Sequence, residues 1–463
     1  MPAQPVKSKA TPGPADVLAV FKRLLPSQTV TELVAATGKR FYQRLFIPLV
    51  VLWGFTFQRL NADHSCDAAV SYIATGAADE LCPGLSTRMS DNTAGYCKAR
   101  KRLPLGVVQG AVRHTAHALQ AELGTAGLWH GRHVVLLDGS TLLLPAEPVL
   151  IAHYGRPSNQ HGQSHWSVLR LVAGFDWYSG AVETLAEGPY RTSEQDLAVA
   201  VIAELGANIL VVGDRNLGVY QIVQAANHYH ADVLLRLTVS RAKALAKQAG
   251  HTLRPGDDLL LGWTPSPETQ LVPDLPAEPI AGRLIYWRWE RPGFRPKDLY
   301  LFTTLTDQEQ YPLVELVSLY ARRWGVELDL RHVKTTLDMA MLASKDVDMV
   351  RKELWAGMLA YNLVRGLMGV AARRAGLAPL ALSFARCWRR VADTARTIQP
   401  GMSLTEVEAL LEQLLNRLSR CRLPQRPAGR IEPRAVWGRP QTFPKIKGSR
   451  AEARQAVLDQ MKS

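Results

Sequence analysis

The sequence predicts a mixed α/β protein with a partly parallel sheet and helical regions on both sides of it. The first observation is a set of short apolar runs between residues 133 and 186, which is typical of a meander of strands. The second is the alternation of helix and strand patterns over residues 194–237, which favours parallel pairing. The third is apolar spacing of three and four residues over residues 15–125 and again after Pro312, which predicts helices.

The composition is that of a globular protein, with 47% apolar and 21% charged residues, and it excludes a disordered chain. The longest apolar stretch, about 13 residues from Leu45 to Phe57, is too short to span a bilayer, so no membrane partner is expected. The five cysteines form no CxxC pair, which predicts neither a disulfide framework nor a zinc ribbon. A reducing cytoplasm is the simplest setting.

The N-terminal helical region carries a compact group of cations. Residues 90–92 are typical of a helix start, and the run that follows has four positive charges in five residues. These charges belong to Lys98, Arg100, Lys101 and Arg102. They are candidates for DNA contact, and a solvated helix face is the alternative. The formal net charge of +14 favours a polyanionic partner, most simply nucleic acid.

The central region alternates strands and helices. The apolar run from His133 to Leu137 ends at Asp138-Gly139-Ser140, and residues 141–144 extend the strand as an alternative. The further strands that apolar runs predict are 167–175, 181–186, 208–212 and 232–237. The helices predicted between them are 194–205 and 218–229.

Residues 239–297 interrupt this alternation with six prolines over residues 255–279 and then an aromatic strand from Leu284 to Glu290. We interpret them as a proline-rich β insertion, after which residues 299–305 return as a last strand. Helix dominates from Pro312 onward, since proline suits the first turn of a helix. The tail, residues 417–463, has 12 basic and 3 acidic residues and is expected to be extended over most of its length.

Two carboxylates, Asp138 and Asp214, each follow an apolar strand, and ligands in α/β sheets gather at strand ends. Capping of a strand or a turn is the alternative role for each. A third group is the set Tyr320, Arg323, Glu327 and Lys334, whose spacing of three, four and seven residues predicts one helix face, joined by Arg331. A solvated face with ion pairs competes here with a metal-binding carboxylate beside phosphate-binding cations.

Three carboxylates without a cysteine or histidine ligand set predict a hard cation. Mg²⁺ prefers oxygen ligands, and Mn²⁺ is expected to substitute for it. Two such ions about 4 Å apart would suit phosphodiester cleavage.

The string Tyr320-x2-Arg323-x3-Glu327-x6-Lys334 resembles the signature of the DDE transposases of insertion sequence family four. Asp138-Gly139-Ser140 and Gly213-Asp214-Arg215 are similar to the segments that carry the family's two aspartates. Residues 65–70, 90–104 and 430–447 are similar to further segments of these proteins, so the resemblance covers most of the chain.

This resemblance implies a ribonuclease-H-like catalytic domain with a β-strand insertion, flanked by helical N-terminal and C-terminal regions. The expected parts are a flexible N-terminus (1–14), a helical DNA-binding region (15–128), the catalytic domain (129–238 and 299–345), the β insertion (239–298), a helical C-terminal region (346–416) and the basic tail (417–463).

The resemblance also implies residue roles. Asp138, Asp214 and Glu327 would be catalytic and hold two metal ions, while Tyr320, Arg323 and Lys334 would contact DNA phosphates near the cleaved end. Trp287 and Trp289 are candidates for stacking on a flipped base, and packing in the core is the alternative for either one.

The expected function is a cut-and-paste DNA transposase that binds the terminal inverted repeats of its element and transfers the cut ends to target DNA. Action on two ends implies a homodimer. The alternatives are a non-catalytic DNA-binding repressor derived from a transposase and a general metal-dependent nuclease of the same fold.

Overall fold

The computed structural model describes residues 22–41, 45–79, 81–160, 162–289, 297–397, 404–424 and 449–460. The predicted N-terminus (1–14) and residues 430–447 of the tail lie outside this part of the chain. Residues 298–424 and the described residues up to Arg288 belong to one compact unit, and the helix Arg450–Gln460 belongs to a second, smaller unit. Within the described ranges, no helix is both long and apolar enough to cross a membrane.

An eight-stranded sheet runs through the larger unit. The chain's strands are β1 (His133–Leu144), β2 (Ser158–Asn159), β3 (Gly162–Gln163), β4 (Ser167–Asp176), β5 (Val182–Pro189), β6 (Ile209–Gly213), β7 (Asp232–Arg236), β8 (Asp258–Trp263), β9 (Ile280–Trp289) and β10 (Lys297–Thr303). The sheet order is β5-β4-β1-β6-β7-β10-β9-β8, and β2 pairs with β3 in a separate ladder.

The sheet combines an antiparallel meander with a parallel part. β1, β4 and β5 pair antiparallel in sequence, and β6 and β7 then add parallel to β1. A meander of three strands followed by two parallel strands is the core expected of a ribonuclease-H-like domain. The predicted fold class is therefore confirmed.

β1 continues beyond the point at which the sequence predicts its end. It pairs with β4 along its length, from Val135 opposite Asp176 to Leu144 opposite Ser167. Its pairing with β6 ends earlier, at Leu136 opposite Val212. Strand β1 thus passes through the Asp-Gly-Ser segment and extends past its parallel neighbour.

Helices cover the sheet and build the N-terminal and C-terminal regions. They are α1 (Ser27–Ala35), α2 (Pro48–Leu60), α3 (Cys66–Tyr72), α4 (Leu85–Arg88), α5 (Ala94–Arg102), α6 (Leu105–Leu123), α7 (Pro148–Tyr154), α8 (Glu194–Leu205), α9 (Tyr220–His228), α10 (Val239–Gln248), α11 (Leu313–Ala321), α12 (Trp324–Arg331), α13 (Val347–Arg374), α14 (Phe384–Thr397), α15 (Leu404–Ser419) and α16 (Arg450–Gln460). The prediction of a helical N-terminal region is confirmed for its described residues.

Two layers of helices enclose the sheet. Apolar side chains of α8 and α9, such as Val201 and Val223, form one core with Val135 and Leu137 of β1. The long helix α13 packs against α2 and α6 and is buried along most of its length. Asn362 of α13 joins three elements, since it accepts from the Val182 backbone N–H of β5 at 2.8 Å and donates to the Val112 carbonyl of α6 at 3.3 Å.

The predicted β insertion differs from expectation in two ways. It begins with the helix α10, which Thr238 caps by accepting from the backbone N–H of Arg241 at 3.2 Å. An alanine-rich amphipathic stretch precedes the first proline, and this explains the helix. Its strands β8 and β9 also extend the central sheet, because β9 is the neighbour of β10, which pairs with β7.

The expectation that the basic tail is extended over most of its length stays a prediction, because residues 425–448 lie outside the described part of the chain, but the described end of the tail is helical. Ser449 and Glu452 form a capping box at the start of α16, with the Glu452 carboxylate accepting from Ser449 N–H at 2.8 Å and the Ser449 hydroxyl accepting from Glu452 N–H at 3.3 Å. This local signal and the absence of proline from residues 450–460 favour the helix.

Candidate active site

The sheet brings Asp138 and Asp214 to matching positions. Each lies two residues beyond the last β1–β6 pair, Leu136 and Val212, and neighbouring strands are about 4.8 Å apart. The Asp214 carboxylate accepts from the backbone N–H groups of Asn216 at 2.8 Å and Leu217 at 3.2 Å. The turn after β6 therefore fixes the orientation of Asp214.

The segment that carries the third carboxylate is not one continuous helix, and this part of the prediction is wrong. α11 ends at Ala321, and tight backbone bonds from Gly325 to Arg322 and from Val326 to Arg323 precede the body of α12. A wider π-helical turn, His332–Thr336, follows α12. The backbone changes from i−4 to i−3 and i−5 bonding at these places, which a residue spacing alone does not reveal.

One apolar face of this segment nevertheless packs into the protein. Its apolar residues are all buried, namely Leu316, Leu319, Val326, Leu330, Val333 and Leu337. The buried apolar face holds the interrupted segment in place while Glu327, on the other side, stays 45% exposed.

The carboxylates of Asp214 and Glu327 are close enough to Asp138 to act on its charge. Burial raises the pKa of Asp138 to about 6, and the charges of Asp214 and Glu327 raise it as well. The Arg323 guanidinium and the Gly139 N–H act in the opposite direction. Arg323 is itself buried, 6% exposed, and donates to Glu327 Oε1 at 2.6 Å. Asp138, Asp214, Glu327 and Arg323 thus form one charged cluster, which we call the carboxylate centre.

The other signature residues surround this centre unequally. Tyr320 is 3% exposed, and burial raises its pKa to about 12, in spite of the neighbouring charges of Arg323 and Arg236. Lys334 Nζ donates to Ser140 Oγ at 3.3 Å, and Ser140 lies two residues after Asp138 on β1. Arg331 is exposed at the end of α12. Lys334 and Arg331 are thus the more accessible cations of the signature.

Glu194 is a neighbour of the centre that the sequence did not single out. Its carboxylate contacts Gly139 and accepts from Asn216 Nδ2 at 2.9 Å. Burial raises the pKa of Glu194, and the charge of Asp214 adds to this effect. The only sequence signal was its place at the start of a predicted helix, and a contact with Gly139 cannot be read from separate local patterns.

A second group of possible metal ligands is separate from this centre. His133, Asp176 and Glu183 offer ligand atoms within 4.8 Å of one another. His133 precedes Asp138 by five residues on β1, about 16 Å of extended strand. Burial lowers the pKa of His133, but its hydrogen bond to Glu183 and the charges of Glu183 and Asp176 raise it overall. This group is a buried, internally paired network at the opposite end of β1.

The four cations of α5 lie in two different environments. Lys98, Lys101 and Arg102 are exposed and line an open cleft of about 1200 Å³ together with Lys39, Arg40 and Arg88. Arg100 instead donates to Gln58 Oε1 at 3.1 Å and lies over the Phe55 ring, 4.6 Å from its centroid. Arg100 therefore packs among the N-terminal helices, which leaves little of its charge for a ligand.

Trp287 and Trp289 lie near the end of β9, and both are half-buried. The Trp287 Nε1 atom is buried and has no hydrogen-bond partner among the described residues.

An acidic centre on a ribonuclease-H-like sheet is typical of the class of DDE nucleotidyl-transfer proteins. Residues 129–363 match the family described as Transposase DDE domain. The chain belongs to this family of DDE transposases, and the resemblance to insertion sequence family four is confirmed by the similarity described next.

Two relatives of similar sequence agree with this assignment. Transposase InsG for insertion sequence element IS4, from Escherichia coli (strain K12), is 28% identical over 358 residues, which are 74% of this chain and 78% of InsG. InsZ from the same organism is 30% identical over 42% of this chain and 63% of its own length. A cryo-EM structure of a piggyBac transposase synaptic complex with hairpin DNA is 12% identical, with a TM-score of 0.41 over 91% of this chain and 89% of that chain.

Proposed function

We propose that this protein cuts DNA at the terminal inverted repeats of an insertion sequence and joins the freed ends to target DNA by a cut-and-paste route. The single observation that carries the proposal is the carboxylate centre, in which Asp214 and Glu327 lie close enough to Asp138 for their charges to raise its pKa, beside the buried Arg323. The three residues come from a strand, a turn and a helix that only the fold brings together.

The donor chemistry of the centre fits two Mg²⁺ ions, with Mn²⁺ as a substitute. Its ligands would be the oxygens of Asp138, Asp214 and Glu327, which hard divalent cations prefer. Burial raises the pKa of Asp138, and the negative charges of Asp214 and Glu327 raise it further; a bound cation would offset these effects. When bound, two such ions would activate the attacking water or 3′-hydroxyl and stabilise the leaving oxygen.

The protein's own cations would position the DNA around the centre. Lys334, held 3.3 Å from Ser140, and the exposed Arg331 are placed to contact phosphates near the cleaved end. Arg323 pairs with Glu327 and is largely buried, so in this proposal it orients the glutamate and offsets charge. The buried Tyr320 would support Arg323. A stacking role for Trp287 or Trp289 remains part of the proposal.

Recognition of the element's ends would use the cationic cleft of the N-terminal helices. Among the residues that the structure describes, the lining of this cleft holds six cations, which include Lys98, Lys101 and Arg102, and no acidic residue. A concentration of positive charge of this kind suits the phosphate backbone of DNA. Because two ends must be cut and joined together, we further propose that a homodimer forms on DNA.

The test uses a labelled DNA end from the sequence that flanks the gene, incubated with the protein and Mn²⁺. Asp138→Ala, Asp214→Ala and Glu327→Ala should each lower the cleavage rate by at least about a thousandfold, since each removes a ligand of the ions. DNA binding in a gel-shift assay should persist in all three variants. Glu309→Ala, which removes an exposed acid before α11, is the control and should cut normally.

The same assay separates the alternatives. Binding without cleavage by the unaltered protein, at any Mn²⁺ or Mg²⁺ concentration, would support a repressor. Equal cleavage of the element's end and of unrelated DNA would support a general nuclease. Full cleavage by any one of the three alanine variants would contradict the proposed centre.

A further inference from the structure

The carboxylate of Glu194 lies directly against the strand that carries Asp138. Glu194 is the first residue of α8, and Ser193 Oγ caps this helix by accepting from the Asp196 N–H at 3.0 Å. A Cβ atom on Gly139 would lie 2.4 Å from Glu194 Cδ and 2.5 Å from Oε1. The carboxylate thus occupies the space that any other side chain at position 139 would need.

The start of α8 also holds the turn that carries Asp214. Asn216 Nδ2 donates to Glu194 Oε2 at 2.9 Å, and Gln195 Nε2 donates to the Asn216 carbonyl at 3.0 Å. The backbone N–H of Asn216 in turn donates to the Asp214 carboxylate at 2.8 Å. Hydrogen bonds to Asn216 therefore connect the Glu194 carboxylate to the Asp214 carboxylate.

The ladder itself does not fix the two aspartates relative to each other. In the described sheet, the pairing between β1 and β6 ends at Leu136 and Val212, before either aspartate. The two carboxylates also repel each other, and the charge of Asp214 contributes to the raised pKa of Asp138. Some other contact must resist their separation when no cation is bound.

We propose that Glu194 is a positioning residue that sets the distance between Asp138 and Asp214. Its carboxylate rests on Gly139 and binds Asn216, so it spans the two segments where their hydrogen-bonded ladder has ended. This inference deepens the proposed function and rests on it, because the pair that Glu194 positions is the proposed cation-binding pair.

The test measures Mn²⁺ binding by calorimetry and the Mn²⁺ dependence of end cleavage in the full-length protein. Glu194→Ala should raise the half-saturating Mn²⁺ concentration about tenfold in both assays, as loss of an outer contact to a ligand commonly does. Binding of the DNA end and the melting temperature should change little. Glu194→Gln should return most of the affinity, because its amide oxygen still accepts from Asn216.

Two controls make the result specific. Glu204→Ala removes an acid from the last turn of the same helix, where it pairs with Arg113 at 2.6 Å, and it should leave Mn²⁺ affinity unchanged. Asn216→Ala should resemble Glu194→Ala, and the double variant should be no worse than either single one.

Each other outcome overturns the inference. Unchanged Mn²⁺ affinity in Glu194→Ala would show that the contact only packs the surface. A glutamine variant as weak as the alanine variant would show that charge, and not positioning, is what matters. If the unaltered protein binds Mn²⁺ but does not cut, the proposed function fails, while calorimetry on the Glu194 variants still decides this inference.

Discussion

The folded state of the protein disfavours the charged form of the Asp138 carboxyl group. Its pKa rises from 3.8 to about 6 because it is buried and because Asp214 and Glu327 add like charges. Between these two pH values the folded protein holds a proton that the unfolded chain has released. Raising the pH through this window therefore favours unfolding, and the full cost is present above about pH 6.

Replacing Asp138 by Asn should consequently stabilise the protein while it abolishes cleavage. The free energy of unfolding of Asp138→Asn should exceed that of the unaltered protein at about pH 7. Between about pH 4 and about pH 6, the variant should also lack the fall in this free energy that the titration of Asp138 causes in the unaltered protein. Thermal unfolding in metal-free buffer at several pH values measures the difference. Parallel pH profiles for the two proteins would contradict this explanation.

Arg323 should set the pH at which the centre becomes ready for a cation. Its charge lowers the pKa of Asp138, so Arg323→Gln should shift the acidic limb of the cleavage profile upward by about one pH unit. The matched control is Arg322→Gln, since the neighbouring Arg322 is exposed and lies over the Trp177 ring, 4.8 Å from its centroid. The measurement is the cleavage rate as a function of pH. An equal shift of the acidic limb in both variants would refute this role of Arg323.

At the scale of elements, Asn362 shows how one polar side chain joins three of them. It bonds to both backbone groups of Val182 and to the Val112 carbonyl, all of them buried. Asn362→Ala should lower the free energy of unfolding by about 2–4 kcal/mol, because it leaves these groups without partners. Urea unfolding measures this change. Asn227→Ala, at an exposed position in α9, should cost little; a similar loss in both variants would exclude the proposed role.

The strands were predictable because a buried strand is a short apolar run between turn residues, and β6 and β7 have that form. The helix over residues 194–205 was predicted at its observed bounds. The sequence could not indicate the interruption near Arg323, because tight and wide turns depend on packing beneath the segment. It also could not indicate Glu194, whose role follows from contacts with two other elements.

At the scale of the whole molecule, one concentration of positive charge lies around the N-terminal cleft, where it should contribute to the salt dependence of DNA binding. A variant with Lys98→Ala and Lys101→Ala should lower the slope of log affinity against log salt for the DNA end by about 2. Gel-shift titrations at several salt concentrations measure this slope. The control variant, with Lys243→Ala and Lys247→Ala, removes the same charge from exposed positions of α10. An equal drop in both would indicate a general charge effect.

The continuity of the eight-stranded sheet has a consequence for variants of such proteins that have lost a segment. Since β9 is a sheet neighbour of β10, and β10 pairs with β7, the segment 239–298 that looks in sequence like an added module is part of the main hydrogen-bonded sheet. A shortened descendant that lost this segment would expose the backbone of β10 as an unpaired sheet edge, open to association with other chains. Proteins encoded by copies of the gene that lack this segment would thus be expected to aggregate even where their catalytic residues are intact.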